Sequence, residues 1–322
     1  MKTFGKLLSG MALALTAMTG TALAEYPDRP ITIVVPWGAG GGTDTIIRIF
    51  ATGFEEAMGQ PINVVNRTGG SGVVGHTAIS RAKPDGYTLG ACTSEITYFT
   101  SLGLADITPD NFSLISRLAL IPAGITVAAD SEYKDFSSLA EAIRTKPAGT
   151  FKSSGSGLGG PWHMATAGML SAMGEAVNKI DFIPSKGGAP ALQDLVSGGL
   201  EMFSGSPIEA RALADAGEAR ILAIMSDERS SAFPDVPTLK EQGVDFSLSN
   251  WFSLCAPAGL PDDVMAKLAQ AAKKAHGSAG VQDALAQRGI TPYFDGPEEF
   301  SIFANDFSTE ANQLLTDLGI TQ

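Results

Sequence analysis

Four short stretches gather the residue types that hold an anion largely through backbone N–H groups and hydroxyls. The first is Trp37-Gly38-Ala39-Gly40-Gly41-Gly42-Thr43-Asp44; the others are Ser154-Gly155-Ser156-Gly157, Lys186-Gly187-Gly188 and Ser204-Gly205-Ser206. Glycine lets a backbone turn tightly and approach a ligand closely, and serine hydroxyls add donors. Where such a loop runs into a helix, unpaired N–H groups and the positive end of the helix dipole converge on one spot, which suits a carboxylate or another anion. Each stretch taken singly is also what a well-capped βα turn needs. The repetition of one device carries the functional reading.

The residues of catalysis are not set out in comparable patterns. Neither His76, His163 nor His276 has a second metal ligand at the i+4 spacing of a helical zinc site. There is no Gly-x-Ser-x-Gly elbow and no Gly-Lys-Ser/Thr after a glycine loop. Gly70-Ser71-Gly72-Val73-Val74-Gly75 matches the dinucleotide fingerprint, with Glu95 at a suitable distance beyond it. It falls at the second βα turn, however, and a secreted chain lacks a supply of nicotinamide cofactor, so it reads as a further glycine loop. No catalytic residue, metal or cofactor is expected. The rival reading, a secreted hydrolase on the same scaffold, needs a nucleophile–base pair that the sequence does not display. His76 and His163 stand just inside helix starts, where each either touches ligand or bonds a loop backbone.

Particular elements must position these stretches. Ile31-Thr-Ile-Val-Val35 predicts a buried strand that Pro36 stops. Thr43 or Asp44 would cap the next helix, whose apolar stripe is Ile46, Ile47, Phe50, Phe54 and Met58. Residues 60–66 predict a second strand, followed by the loop Arg67 to His76, a helix, and a turn at Pro84-Asp85-Gly86-Tyr87. Residues 88–93 predict a third strand ending at Thr93, Ser94 and Glu95. This β-α-β-α-β order predicts a parallel sheet with ligands beyond the carboxyl ends of its strands. Loops 37–44, 67–76 and 93–97 share that edge, which makes Arg67, Thr93 and Ser94 candidate contacts.

The pattern then repeats. Strands are predicted over 125–129, 151–154, 180–183, 200–203 and 220–225. Ser138 with Glu141, Ser206 with Glu209 and Thr238 with Glu241 read as capping boxes. Pro161 suits the first turn of a helix through Met164, Ala167 and Leu170. Residues 249–255 return to the first sheet, a helix carries Val264, Leu268 and Ala271, and 297–318 close the unit. Crossings near 123–126 and 245–250 imply a hinge. The expected lobes are 25–123 with 247–322, and 124–246.

Residues 1–24 read as a secretory signal: Lys2 and Lys6, an apolar run from Leu7 to Met18, and the small-x-small site Ala22-Leu23-Ala24. The run, broken by Ser9, Gly10 and Thr16, is too short to remain as a membrane span. The expected product is a free periplasmic protein and a monomer. A net charge of −12 over 322 residues argues against nucleic acid and anionic membrane surfaces as partners. It does not exclude a small anion, because a helix end acts locally. With only Cys92 and Cys255 present, no disulfide framework or thiolate metal site is expected. The third strand and the returning strand should be neighbours, yet face and register must both agree for a bond. The expectation is therefore two free, buried thiols.

Tyr26 to Pro36, Gly40-Gly-Gly-Thr-Asp44, Gly59-Gln-Pro61, Asn66-Arg67 with Gly69 to Gly75, and Pro84 to Leu89 resemble the receptors of tripartite tricarboxylate transporters, also called Bug receptors. Lys186-Gly187-Gly188, Phe233 to Thr238 and Trp251 to Pro261 extend the resemblance over essentially the whole mature chain. It implies an α/β fold of the two-lobed periplasmic binding protein type (type II), with two hinge crossovers and a ligand cleft between the lobes. It also implies capture of a small organic carboxylate and delivery to a membrane permease with a large and a small subunit. On this reading Gly40 to Asp44 hold one carboxylate, while Ser154 to Gly157 and Lys186 to Gly188 hold the ligand from the second lobe. Trp37 lies against its carbon skeleton or packs half-exposed. Relatives often carry an acidic residue where this chain has Ser204. The loss of that counter-charge shifts the expected ligand from amino acids toward plain carboxylates.

Overall fold

The computed structural model describes residues 26–290 and 292–321; the signal-like segment lies outside the described residues. Strands β1 (Ile31–Val35), β2 (Ile62–Asn66) and β3 (Thr88–Gly90) alternate with helices α1 (Gly42–Met58) and α2 (Val73–Ser80). β1 runs parallel to β2 on one side and β3 on the other. α1 packs Ile46, Ile47, Phe50 and Phe54 onto the sheet as the apolar stripe requires, all 1 % exposed or less.

The long strand β4 (Phe112–Pro122) leads through Ala123 into β5 (Gly124–Ala128), which belongs to a second sheet. There follow α3 (Phe136–Thr145), β6 (Phe151–Ser154), α4 (Pro161–Ala172), β7 (Ile180–Phe182), α5 (Gly188–Val196), β8 (Met202–Gly205), α6 (Pro207–Asp215) and β9 (Ala219–Ile224). The chain returns along β10 (Ser249–Pro257), then α7 (Asp262–His276), α8 (Ala279–Gln287), β11 (Pro292–Asp295) and α9 (Pro297–Asp317). The first sheet has the order β11-β4-β10-β3-β1-β2 and the second β7-β6-β8-β5-β9. Each has its own apolar core, one around Phe50, Phe54 and Leu254, the other around Phe136, Phe151 and Met202. This is the two-lobed α/β fold of type II periplasmic binding proteins.

Three local expectations change. α1 begins at Gly42 with Gly41 as its cap residue, so Thr43 and Asp44 lie inside the first turn. Asp135, not Ser138, caps α3, its carboxylate accepting the Ser138 N–H at 2.7 Å. Of the three expected boxes only that of Thr238 with Glu241 is reciprocal, at 2.7 and 3.1 Å, while Thr108 with Asn111 forms a further, unexpected one.

Cys92 and Cys255 form a disulfide, with Cα atoms 5.8 Å apart, which corrects the expectation of free thiols. The register explains it. Cys255 lies opposite Gly90 on the antiparallel partner, and Cys92, two residues past Gly90, presents its side chain to the same face. The bond joins residues 163 apart, so the whole second lobe lies within the loop it closes.

Candidate interlobe binding site

The carboxyl ends of the parallel strands in both sheets point at one interlobe cavity. Trp37, Gly41, Gly42 and Thr43 line it from the β1–α1 junction, and Glu95, Asn250 and Phe252 from the same lobe. Ser156, Trp162, Gly187, Gly188 and Glu209 line it from the other lobe, at or near the starts of α4, α5 and α6. First-turn N–H groups of several helices therefore face a shared space. The lobes touch around it. Gly38 N–H donates to the Lys186 carbonyl at 3.0 Å, and Gly42 N–H donates to Glu209 Oε1 at 2.5 Å. The volume of this partly open cavity is about 20 Å³, room for about one water.

Four hydroxyls of the second lobe, those of Ser154, Ser156, Ser204 and Ser206, are buried without a hydrogen-bond partner; Ser156 lines this cavity and Ser206 a neighbouring one. Buried polar atoms are almost always paired, and each exception asks for a cause. Ser154 and Ser204 end β6 and β8, and Ser156 and Ser206 lie in the turns beyond. An anion in the cavity would supply an acceptor for the Ser156 hydroxyl.

The family model described as the tripartite tricarboxylate transporter family receptor matches residues 46–320. This chain belongs to that family. The receptor is similar to the solved periplasmic binding protein BugD, at 26 % identity and a TM-score of 0.86, over 92 % of this chain and 99 % of that one. MatC from Rhodopseudomonas palustris, solved with bound malate, is 25 % identical with a TM-score of 0.82, over 90 % of this chain and 100 % of that one. An R. palustris protein solved with adipate is 26 % identical with a TM-score of 0.86, over 92 % and 99 %.

The residues expected at the receptor's site take several different places in the structure. Trp37 is 6 % exposed, not half-exposed, and its indole N–H donates to Thr93 Oγ1 at 3.1 Å, so Thr93 sets the angle of the ring. Ser94 Oγ pairs with the Tyr98 hydroxyl at 3.0 Å, behind the cavity. Asp44 closes its own loop: it accepts Gly40 N–H at 2.9 Å, pairs with Arg48 and takes Asn66 Nδ2 at 2.8 Å, which holds its carboxyl below the usual range against the opposing effect of burial. Ala39 and Gly40 are exposed; Gly40 borders a neighbouring cavity of about 340 Å³, which also takes in Ser206, Arg211 and Arg288. Arg67 is exposed and outside the lining. Lys186 also carries its side chain outward and contributes its carbonyl.

His163 Nδ1 accepts the Gly159 N–H at 3.0 Å while the ring stacks on Phe182, and His76 Nδ1 lies 2.9 Å from the Gly72 carbonyl. Burial lowers both rings to about 4, so each is a neutral loop brace. The glycines are steric necessities. A Cβ at Gly155 would overlap the Ser204 carbonyl, one at Gly157 would overlap Ser71 of the other lobe, and one at Gly205 would strike the Phe203 ring.

Sequence reasoning passed over Trp162, Asn250 and Phe252, and gave Glu95 and Glu209 no part in the site. Glu95 is 3 % exposed, its Oε2 has no partner, and burial pushes its carboxyl up to about 7. Glu209 was read as the capping partner of Ser206. Its carboxyl reaches across the cleft to Gly42 while also receiving the Ser206 N–H, and burial raises it to about 7. Among the described residues, no group of three or more His, Cys, Asp and Glu is placed to hold a metal ion. None of the described helices is long and apolar enough to cross a membrane.

Proposed function

We propose that this receptor works in the periplasm as a binding protein without enzymatic activity, capturing a small organic carboxylate between its lobes and handing it to a membrane permease of large and small subunits. The observation that carries the reading is the buried, unpartnered Ser156 hydroxyl in the wall of a cavity on which helix starts converge, with unpartnered hydroxyls of Ser154, Ser204 and Ser206 at the adjoining strand ends and turns. A carboxylate supplies the acceptors that these donors lack, and backbone N–H groups hold it without a formal counter-charge. The malate and adipate in two similar proteins support a carboxylate. Lobe boundaries near Ala123 and residues 245–248 would act as the hinge, because among the described residues only there does the chain pass between the sheets. On this account Trp37 and Trp162 cover the ligand's carbon skeleton, and opening must separate Gly38 from Lys186.

A thermal-shift screen over di-, tri- and aromatic carboxylates tests the proposal, with neutral sugars as controls. A ligand at 100 times its dissociation constant should stabilise the protein by about 2.7 kcal/mol. Stabilisation by sugars and by no carboxylate would overturn it.

A further inference from the structure

Part of the cavity wall has a chemistry that a plain dicarboxylate does not match. Glu95 and Glu209 present carboxyls to it, and Asn250 presents an amide, with Trp37, Trp162 and Phe252 as its apolar walls. No lysine, arginine or histidine side chain is among the lining residues. Glu95 Oε2 and Asn250 Oδ1 are buried without a partner, and each residue is 3 % exposed. Ionised carboxylate and amide oxygens are acceptors only. The unfilled valences on this part of the wall therefore call for donors, as those of the serines call for acceptors. A ligand carboxylate placed against Glu95 would add a like charge in a site of low dielectric, which is unfavourable.

Resting on the reading of the cleft as a carboxylate receptor site, we infer that Glu95, Glu209 and Asn250, walled by Trp37, Trp162 and Phe252, form a cation subsite, so that the ligand is an amino-carboxylate whose ammonium group sits there. An ammonium carries three N–H donors for the acceptors that face it. Its charge removes the cost of burying an ionised glutamate. Aromatic faces add attraction for a cation in a dry site. This reverses the expectation drawn from Ser204. The counter-charge absent after Phe203 is supplied by Glu209, five residues further along the same lobe edge, and from the opposite lobe by Glu95.

The test is calorimetric titration of the full receptor at pH 7.5 with matched pairs that differ only by the ammonium group: glutamate and glutarate, aspartate and succinate, phenylalanine and 3-phenylpropionate, 4-aminobutyrate and butyrate. At least one amino member should bind tenfold or more tightly than its partner. Glu95→Gln and Glu209→Gln, each checked for an unchanged circular dichroism spectrum, should narrow that preference to within about threefold. If Glu95→Gln fails to fold, Glu209→Gln and the wild-type pairs decide. Plain carboxylates binding as well as or better than every amino partner would overturn the cation subsite and leave the carboxylate receptor standing. A preference that survives both substitutions would overturn the assignment of these residues. Binding by no member of any pair overturns the inference, and the carboxylate reading falls with it only if the wider carboxylate screen is also blank.

Discussion

Glu95→Gln should change the pH dependence of stability more than stability itself at low pH. The Glu95 carboxyl, raised from 4.5 to about 7 by burial, keeps its proton in the folded protein over a range in which the unfolded chain has lost it. Its contribution is fully present below about 4.5 and is lost as pH rises through about 7. At ~1.4 kcal/mol per pKa unit the full window corresponds to about 3 kcal/mol, of which about 2.5 falls between pH 5 and 8. Glutamine keeps the shape and does not titrate. Urea unfolding of both proteins at pH 5, 6, 7 and 8 isolates the effect, because every other titrating group cancels in the difference. The variant should gain on the wild type by about 2.5 kcal/mol between pH 5 and 8. Difference curves flat to within about 1 kcal/mol would refute the claim that Glu95 is buried without a counter-charge.

Removing the Cys92–Cys255 bond by paired alanine substitution should lower unfolding stability by about 2–4 kcal/mol, since the bond closes a long loop of the unfolded chain. Thiol titration of the unfolded, unreduced protein should find no free thiol; two per chain would show the bond is not made. Gly155→Ala forces a methyl into the Ser204 carbonyl and the Trp162 ring, and should cost about 1–3 kcal/mol in chemical denaturation; an unmoved midpoint would mean that the two strand ends are not this close. Because Gly38 and Gly42 both bond across the cleft, small-angle scattering should show a smaller radius of gyration at ligand saturation. An unchanged profile would count against hinge closure.

What could be read from the sequence follows the range of the interactions. The β1–α1 unit is local: a β-branched run, a proline, four glycines and a helical stripe lie within one stretch, and each signal has its cause nearby. The Ser154–Gly157 and Ser204–Ser206 turns were legible for the same reason. β4 was not, because a strand buried on both faces lacks alternation, and Ser116 and Arg117 interrupt its apolar run. Arg117 is accommodated by Asp295, Tyr293 and the Phe303 ring, all far along the chain. Glu209 was misread because its local partner, Ser206, is real, while its contact with Gly42 spans 167 residues. Asn250 and Phe252 belong to a returning strand whose register no local pattern sets. Nothing local pairs the two cysteines; the β10–β3 register does.

The central claim is that the cleft binds a carboxylate. Calorimetric titration of the purified receptor with the carboxylate that most raises its melting temperature tests it most directly. The account predicts one site per chain with micromolar or tighter affinity, about −8 kcal/mol or better. It also predicts at least tenfold weakening when Ser154 and Ser156 are both replaced by alanine. Saturable heat from a neutral sugar, with none from any carboxylate, would contradict it.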